Sequence, residues 1–213
     1  MKPIHSIIFV VLASIFVLTS TLGSYPQFLP SSWLMKILPL LILILLTLKL
    51  KQFRYHSLFL VGLIFSALGD FFLDYDHVNW FVFGLGSFLF AHIFYIMSLK
   101  PLSSELTKKH LKIIAVYCVY GLAMFSLISS GLGELFIPVL LYMSVLLFMA
   151  IATLVSDKSN SWLIIGGISF VLSDSLLGIN KFYVAIPNAS VLIMISYYFA
   201  QYSLTRGMFK KLN

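Results

Sequence analysis

Eight apolar runs, each about as long as a bilayer is thick, follow one another along this chain with only short polar connectors between them. A helix rises about 1.5 Å per residue, so a hydrocarbon core of about 30 Å takes about 20 residues to cross. The runs fall at 4–22, 33–50, 57–73, 80–99, 111–128, 135–155, 162–179 and 187–204. Lipid offers no partner to backbone N–H and C=O groups, so each run must satisfy them internally, as helix. The sequence predicts an all-α polytopic membrane protein, one integral membrane domain over 1–213 with eight transmembrane helices. The first run resembles a signal peptide, but such apolar regions span only about 7 to 15 residues. With no small-x-small cleavage site before Gly23, it is read as a span.

Charge sets the orientation. Only 10% of residues are charged and 61% are hydrophobic, against about a quarter charged in a soluble domain. The net charge of +7 does not point to nucleic acid, because the basic residues stand at span ends and not in a patch. Assigned to alternate connectors, twelve of the 14 Lys and Arg share one side: Lys2; Lys49, Lys51 and Arg54; Lys100, Lys108, Lys109 and Lys112; Lys158; Arg206, Lys210 and Lys211. The other side receives Lys36 and Lys181. The positive-inside rule places the twelve, and with them both termini, in the cytoplasm. The expected location is the plasma (inner) membrane of a bacterium. Cys118 is the one cysteine, which excludes an intrachain disulfide and a cysteine-based metal site.

Against that background two carboxylates stand out, Asp70 in FSALGDFFLDY and Asp174 in FVLSDSLLGI. A charge at such depth costs a few kcal/mol or more unless paired or watered. In the predicted topology the third and seventh spans both run outward. Asp70 lies ~20 Å of rise past Ser57 and Asp174 ~18 Å past Trp162, which puts both in the outer half of the membrane. A weak internal repeat supports their pairing: Leu38-Pro39-Leu40-Leu41 with Ile137-Pro138-Val139-Leu140, Leu68-Gly69-Asp70 with Leu172-Ser173-Asp174, and Phe90-Ala91-His92 with Phe199-Ala200-Gln201. Four spans per half would make a 4+4 parallel repeat.

Inward faces of membrane helices carry small and polar residues. The third span has Gly62, Ser66, Asp70 and Asp74 at spacings of four; the seventh aligns Gly167, Phe170 and Asp174. On the fourth, Gly84, Phe88, His92 and Tyr95 share a side. His92 reads either as functional or as hydrogen-bonded to a neighbouring tyrosine, and no second histidine or glutamate on its face suggests a metal. Tyr142, Tyr198 and Gln201 need partners in an apolar span, supplied by other helices or by substrate. Glu134 reads as interfacial, and Asp74 and Asp76 admit a place among headgroups at the outer end of their span. Lys181 stands at the outer mouth, placed for a phosphate-bearing headgroup or for snorkelling.

These residues together resemble the YhhN family of membrane lysoplasmalogenases. The likeness is carried by GDFFL, GLGSFLFAHIFYI, Pro138 with Tyr142, GGISFVLSDSLLGINKF and YYFAQ, in that order, while the first two spans carry little signature. The resemblance implies eight spans, no cofactor, and cleavage of the vinyl ether of a lysophospholipid to a fatty aldehyde and a glycerophospho-ethanolamine or -choline. It places the family's paired aspartates on Asp70 and Asp174 and its histidine on His92.

The chemistry suits such a pair. Vinyl ether hydrolysis starts with protonation of the alkenyl carbon remote from oxygen, and it passes through an oxocarbenium ion. Two carboxyls in a low-dielectric site resist ionising together, so one can donate the proton while the other steadies the cation, as in glycosidases. Asp70, Asp174 and His92 form the expected catalytic set, and Tyr95, Tyr142, Tyr198, Gln201 and Lys181 the substrate-binding set, with His92 and Tyr95 also placed to relay protons or hold the dyad. The single-chain substrate would enter sideways from the outer leaflet. A small proton-coupled transporter or lipid carrier would use the same aspartates as a proton relay, and a structural subunit would have no use for buried acids. Nothing in the sequence fixes an oligomeric state.

Overall fold

The computed structural model describes residues 3–22, 32–49, 54–76, 79–100, 102 and 106–209. Among them are eight α-helices and two short 3-10 turns. The connector over 23–31, the basic residues Lys2, Lys51, Lys210 and Lys211, and the Arg54 side chain lie outside the described residues. Six helices are long and apolar enough to cross a membrane: Ser32–Lys49, His56–Tyr75, Phe81–Ser98, Lys108–Gly131, Gly133–Val155 and Ser161–Phe182. They mark the chain as an integral membrane protein. The two outer runs differ from expectation for separate reasons. The apolar part of the first is the shorter stretch Ile4–Ser20. The last, Ala189–Met208, is 20 residues long but dilutes its apolar residues with Gln201, Thr205, Arg206 and several tyrosines.

The chain divides into two compact units, Met1–Ser98 and Leu99–Asn213, each built on four α-helices. The first contains α1 (Pro3–Leu22), α2 (Ser32–Lys49), α3 (Arg54–Tyr75) and α4 (Phe81–Ser98). The most intimate packing is of α3 on α4, where glycines receive aromatic rings. A Cβ on Gly62 would stand 2.5 Å from the Tyr95 ring, and one on Gly69 would stand 2.6 Å from that of Phe88. Without a hydrophobic drive between helices in lipid, such close approach is what holds them together.

The second unit contains α5 (Lys108–Ile128), α6 (Phe136–Val155), α7 (Ser161–Phe182) and α8 (Ala189–Met208). Thr107 and His110 close a capping box at the start of α5, and Asn160 caps α7 by accepting from the N–H groups of Trp162 and Leu163. These caps satisfy donors that a helix start otherwise leaves open. Gly166 fits against Leu204 of α8, and Gly167 fits against Ala150 and Thr153 of α6. Successive helical residues point about 100° apart, so adjacent glycines let α7 approach two neighbours at once.

Candidate functional site

In the first unit Asp70 is 2% exposed, and its partner comes from α2. Lys36 Nζ lies 3.8 Å from Asp70 Oδ1 and 4.0 Å from Asp74 Oδ1, while the Ser32 hydroxyl donates to the other Asp74 oxygen. The start of α2 thus meets the end of α3, as two successive antiparallel helices must: four residues forward on one match four residues back on the other. Around this polar knot Trp33 sets its edge on Phe71, and Phe71, Tyr75 and Trp80 pack together. One turn below Asp70, Ser66 Oγ lies 3.0 Å from the Tyr95 hydroxyl of α4. His92 is fully buried, its ring 6.4 Å from that of Tyr95. The stripe Gly62, Ser66, Asp70, Asp74 is therefore a working face, meeting α4 through Gly62 and Ser66 and α2 through Asp70 and Asp74.

In the second unit α7 carries a hub of three consecutive residues. Ser173 donates to the Ile193 carbonyl of α8 at 3.1 Å. Asp174, half-buried, accepts a hydrogen bond from the Tyr142 hydroxyl of α6. Ser175 accepts from the Tyr120 hydroxyl of α5 at 2.7 Å. Turning 100° per residue, the Ser-Asp-Ser triplet reaches every other α-helix of its unit. Gln201 is fully buried and donates to the Tyr197 hydroxyl at 3.3 Å. Tyr197 in turn stands edge-on to Phe170, one turn before Asp174. Tyr198 is buried beside Tyr197. Lys181 is exposed in the last turn of α7, next to Asn180, whose side-chain oxygen accepts from the Ile186 N–H.

The expected site residues thus sort by unit: Asp70, His92 and Tyr95 in the first, and Asp174, Tyr142, Tyr198, Gln201 and Lys181 in the second. Within the units the structure joins Tyr142 to Asp174 and Tyr95 to the aspartate stripe. Asp74, which continues the stripe of the third span in sequence, forms a cluster with Lys36 and Ser32. Sequence reasoning missed Lys36 and Tyr120. Lys36 shares a buried face of α2 with Pro39, Leu40 and Leu43, a face that only the structure reveals.

The chain matches the YhhN family model over residues 31–208, from the residue before α2 to the end of α8. The protein belongs to the YhhN family. It is 35% identical over 153 residues to a Mycobacterium bovis protein named lysoplasmalogenase, covering 70% of this chain and 59% of that one. It is 32% identical over 151 residues to human lysoplasmalogenase TMEM86A, covering 66% and 60%, and 32% identical over 176 residues to pig lysoplasmalogenase TMEM86B, covering 80% and 73%. The chain spans about three fifths of the length of the first two of these YhhN relatives. No solved structure matches it.

Proposed function

We propose that this YhhN protein is an ether hydrolase that cleaves the vinyl ether of lysoplasmalogens, with Asp70 and Asp174 as its carboxyl pair. The observation that carries the reading is that each four-helix unit holds an aspartate well inside an apolar helix, Asp70 or Asp174, and gives it a partner from the helix before. That is an expensive arrangement in lipid and suits chemistry that needs a held carboxyl. The names of the relatives supply the substrate class.

In the reaction one carboxyl gives its proton to the alkenyl carbon remote from oxygen, and the other, ionised, faces the oxocarbenium ion that results. Water adds to the cationic carbon and loses a proton to a carboxylate. The hemiacetal then collapses: its hydroxyl gives up its proton, its C–O bond to glycerol breaks, the glycerol oxygen takes a proton, and a fatty aldehyde leaves. The sum is one vinyl ether and one water to one aldehyde and one alcohol, with no redox step. His92 and Tyr95 serve the Asp70 side as proton relay or support, and Tyr198, Gln201 and Lys181 contact the lysophospholipid.

The same reading counts α1 and α8 as spans, giving eight, in two parallel halves of four, with both termini cytoplasmic in a bacterial inner membrane. Support comes from the charge bias of the connectors and from a proline one helix before each aspartate's helix, Pro39 in α2 and Pro138 in α6. The test is aldehyde release from a 1-alkenyl lysophosphatidylethanolamine by purified protein in detergent, with saturated ether and ester analogues alongside. Only the vinyl ether should react, and Asp70→Asn and Asp174→Asn should each stop it. No aldehyde from the wild type on any vinyl ether would leave the aspartates to a transporter's proton relay.

A further inference from the structure

Lys36 has no part in the reaction as written, yet it is a cation whose side chain is only 10% exposed within an apolar helix. A lone ammonium there would be costly, and so would the lone carboxylates of Asp70 and Asp74. Together with Ser32 they form one cluster of a single cation and two carboxylates. Asp74, held by the Ser32 hydroxyl, sits one helical turn from Asp70 and gives the ammonium a second carboxylate at 4.0 Å. An ion-paired carboxylate has no proton to give. It does hold a fixed negative charge at a fixed place, which is what an oxocarbenium ion calls for.

We propose that Lys36 is a positioning residue for Asp70: anchored by Asp74 and Ser32, it holds the Asp70 carboxylate as the standing anion of the reaction and leaves proton delivery to Asp174. The inference rests on the ether-hydrolase reading and deepens it. Lys36 acts through Asp70 and does not touch the substrate.

The test compares Lys36→Met, Lys36→Arg and the double variant Lys36→Met/Asp74→Asn, measuring kcat and KM for aldehyde release from 1-alkenyl lysophosphatidylethanolamine by the full chain in detergent. Misplacing a reacting group by about 1 Å costs on the order of 100-fold. Lys36→Met should therefore lose about 100-fold in kcat with KM changed less than about threefold. Lys36→Arg, which keeps the charge, should stay within about tenfold of wild type. The double variant removes one cation and one anion, so the cluster keeps its net charge and the fold its electrostatic balance; its kcat should stay as low as that of Lys36→Met.

Wild-type kcat in the double variant would overturn the proposal, because Lys36 would then do no more than balance Asp74. Unchanged kcat in Lys36→Met, or an arginine variant no better than methionine, would overturn it as well. The underlying reading fails separately, through a wild type that releases no aldehyde or an Asp70→Asn variant that keeps its rate.

Discussion

The two four-helix units give their aspartates partners from the same place and of opposite kinds. In each, the partner lies on the helix immediately before, about one turn from a proline: Lys36 before Pro39 in α2, and Tyr142 after Pro138 in α6. An ammonium compensates a carboxylate's charge, whereas a phenol lends it a hydrogen bond and leaves the charge where it was. Exposure follows chemistry, with Asp70 fully enclosed and Asp174 only half-buried. Two four-helix units can thus carry two carboxyls without making them equivalent, and a reaction that needs one acid and one anion needs that inequality.

The largest expected effect tests whether the two carboxyls work as one device. Asp70→Asn and Asp174→Asn should each lower kcat by about 10² to 10⁴, the usual worth of a general acid or its counterpart. Groups that act as a unit are strongly non-additive, so the double variant should be little worse than either single one. Losses that multiply instead would mean that the units serve separate steps, and the comparison would then describe two sites.

Replacing the phenol comes next. Tyr142→Phe removes the donor to Asp174, a hydrogen bond that becomes one to a charged group, worth about 1.5–3 kcal/mol, as the carboxyl gives up its proton, and it should lower kcat by roughly 10- to 100-fold. Tyr95→Phe breaks the bond to Ser66, so its kcat should fall only about threefold, with about 1 kcal/mol lost from stability. Equal losses in the two variants would show that tyrosines support these helices generally and that Asp174 has no special claim on Tyr142.

Much of this contrast was legible in the residues and part of it was not. Period and length gave the helices, because lipid permits no other backbone solution. Small residues in register gave the faces of α3 and α7, since Gly62, Ser66 and Gly167 have few uses in a span other than close packing. Lys36 was hidden because a lysine near the start of a span looks like one that snorkels to the interface, and α2 is so uniformly apolar that no periodicity betrays its buried face. The contact with Asp70 bridges 34 positions in sequence, and nothing local encodes it. In the same way Tyr120 sits on α5, whose neighbours are largely exposed, and only the turn of α7 brings Ser175 to it.

The seams of the two units predict a smaller difference, in stability. A Cβ on Gly69 would press on the Phe88 ring, which can shift, whereas one on Gly166 would stand 2.9 Å from the Leu204 backbone nitrogen, which cannot. Overpacking costs about 1–3 kcal/mol. Gly166→Ala should fall in that range and Gly69→Ala below it, measured as thermal unfolding in detergent. The reverse order would place the stiffer seam in the first unit.

The smallest effect concerns the second unit's own half-buried cation. Lys158 lies in the connector between α6 and α7, its N–H donating to the Ser156 hydroxyl oxygen at 3.1 Å and its carbonyl accepting from Asn160. Where Lys36 has carboxylates within 4.0 Å, Lys158 is governed by burial, which lowers its pKa from the ordinary 10.5 to about 8. Between those two values the unfolded chain holds a proton that the folded chain has released, so folding stability gains with rising pH across that window; below about 8 both states are protonated, and the fold bears the full cost of a desolvated charge. The wild type should therefore gain in melting temperature relative to Lys158→Met as pH is raised from about 8 to about 10. Parallel melting curves over that range would mean that Lys158 titrates like a lysine in water, and that only the first unit spends structure on its cation.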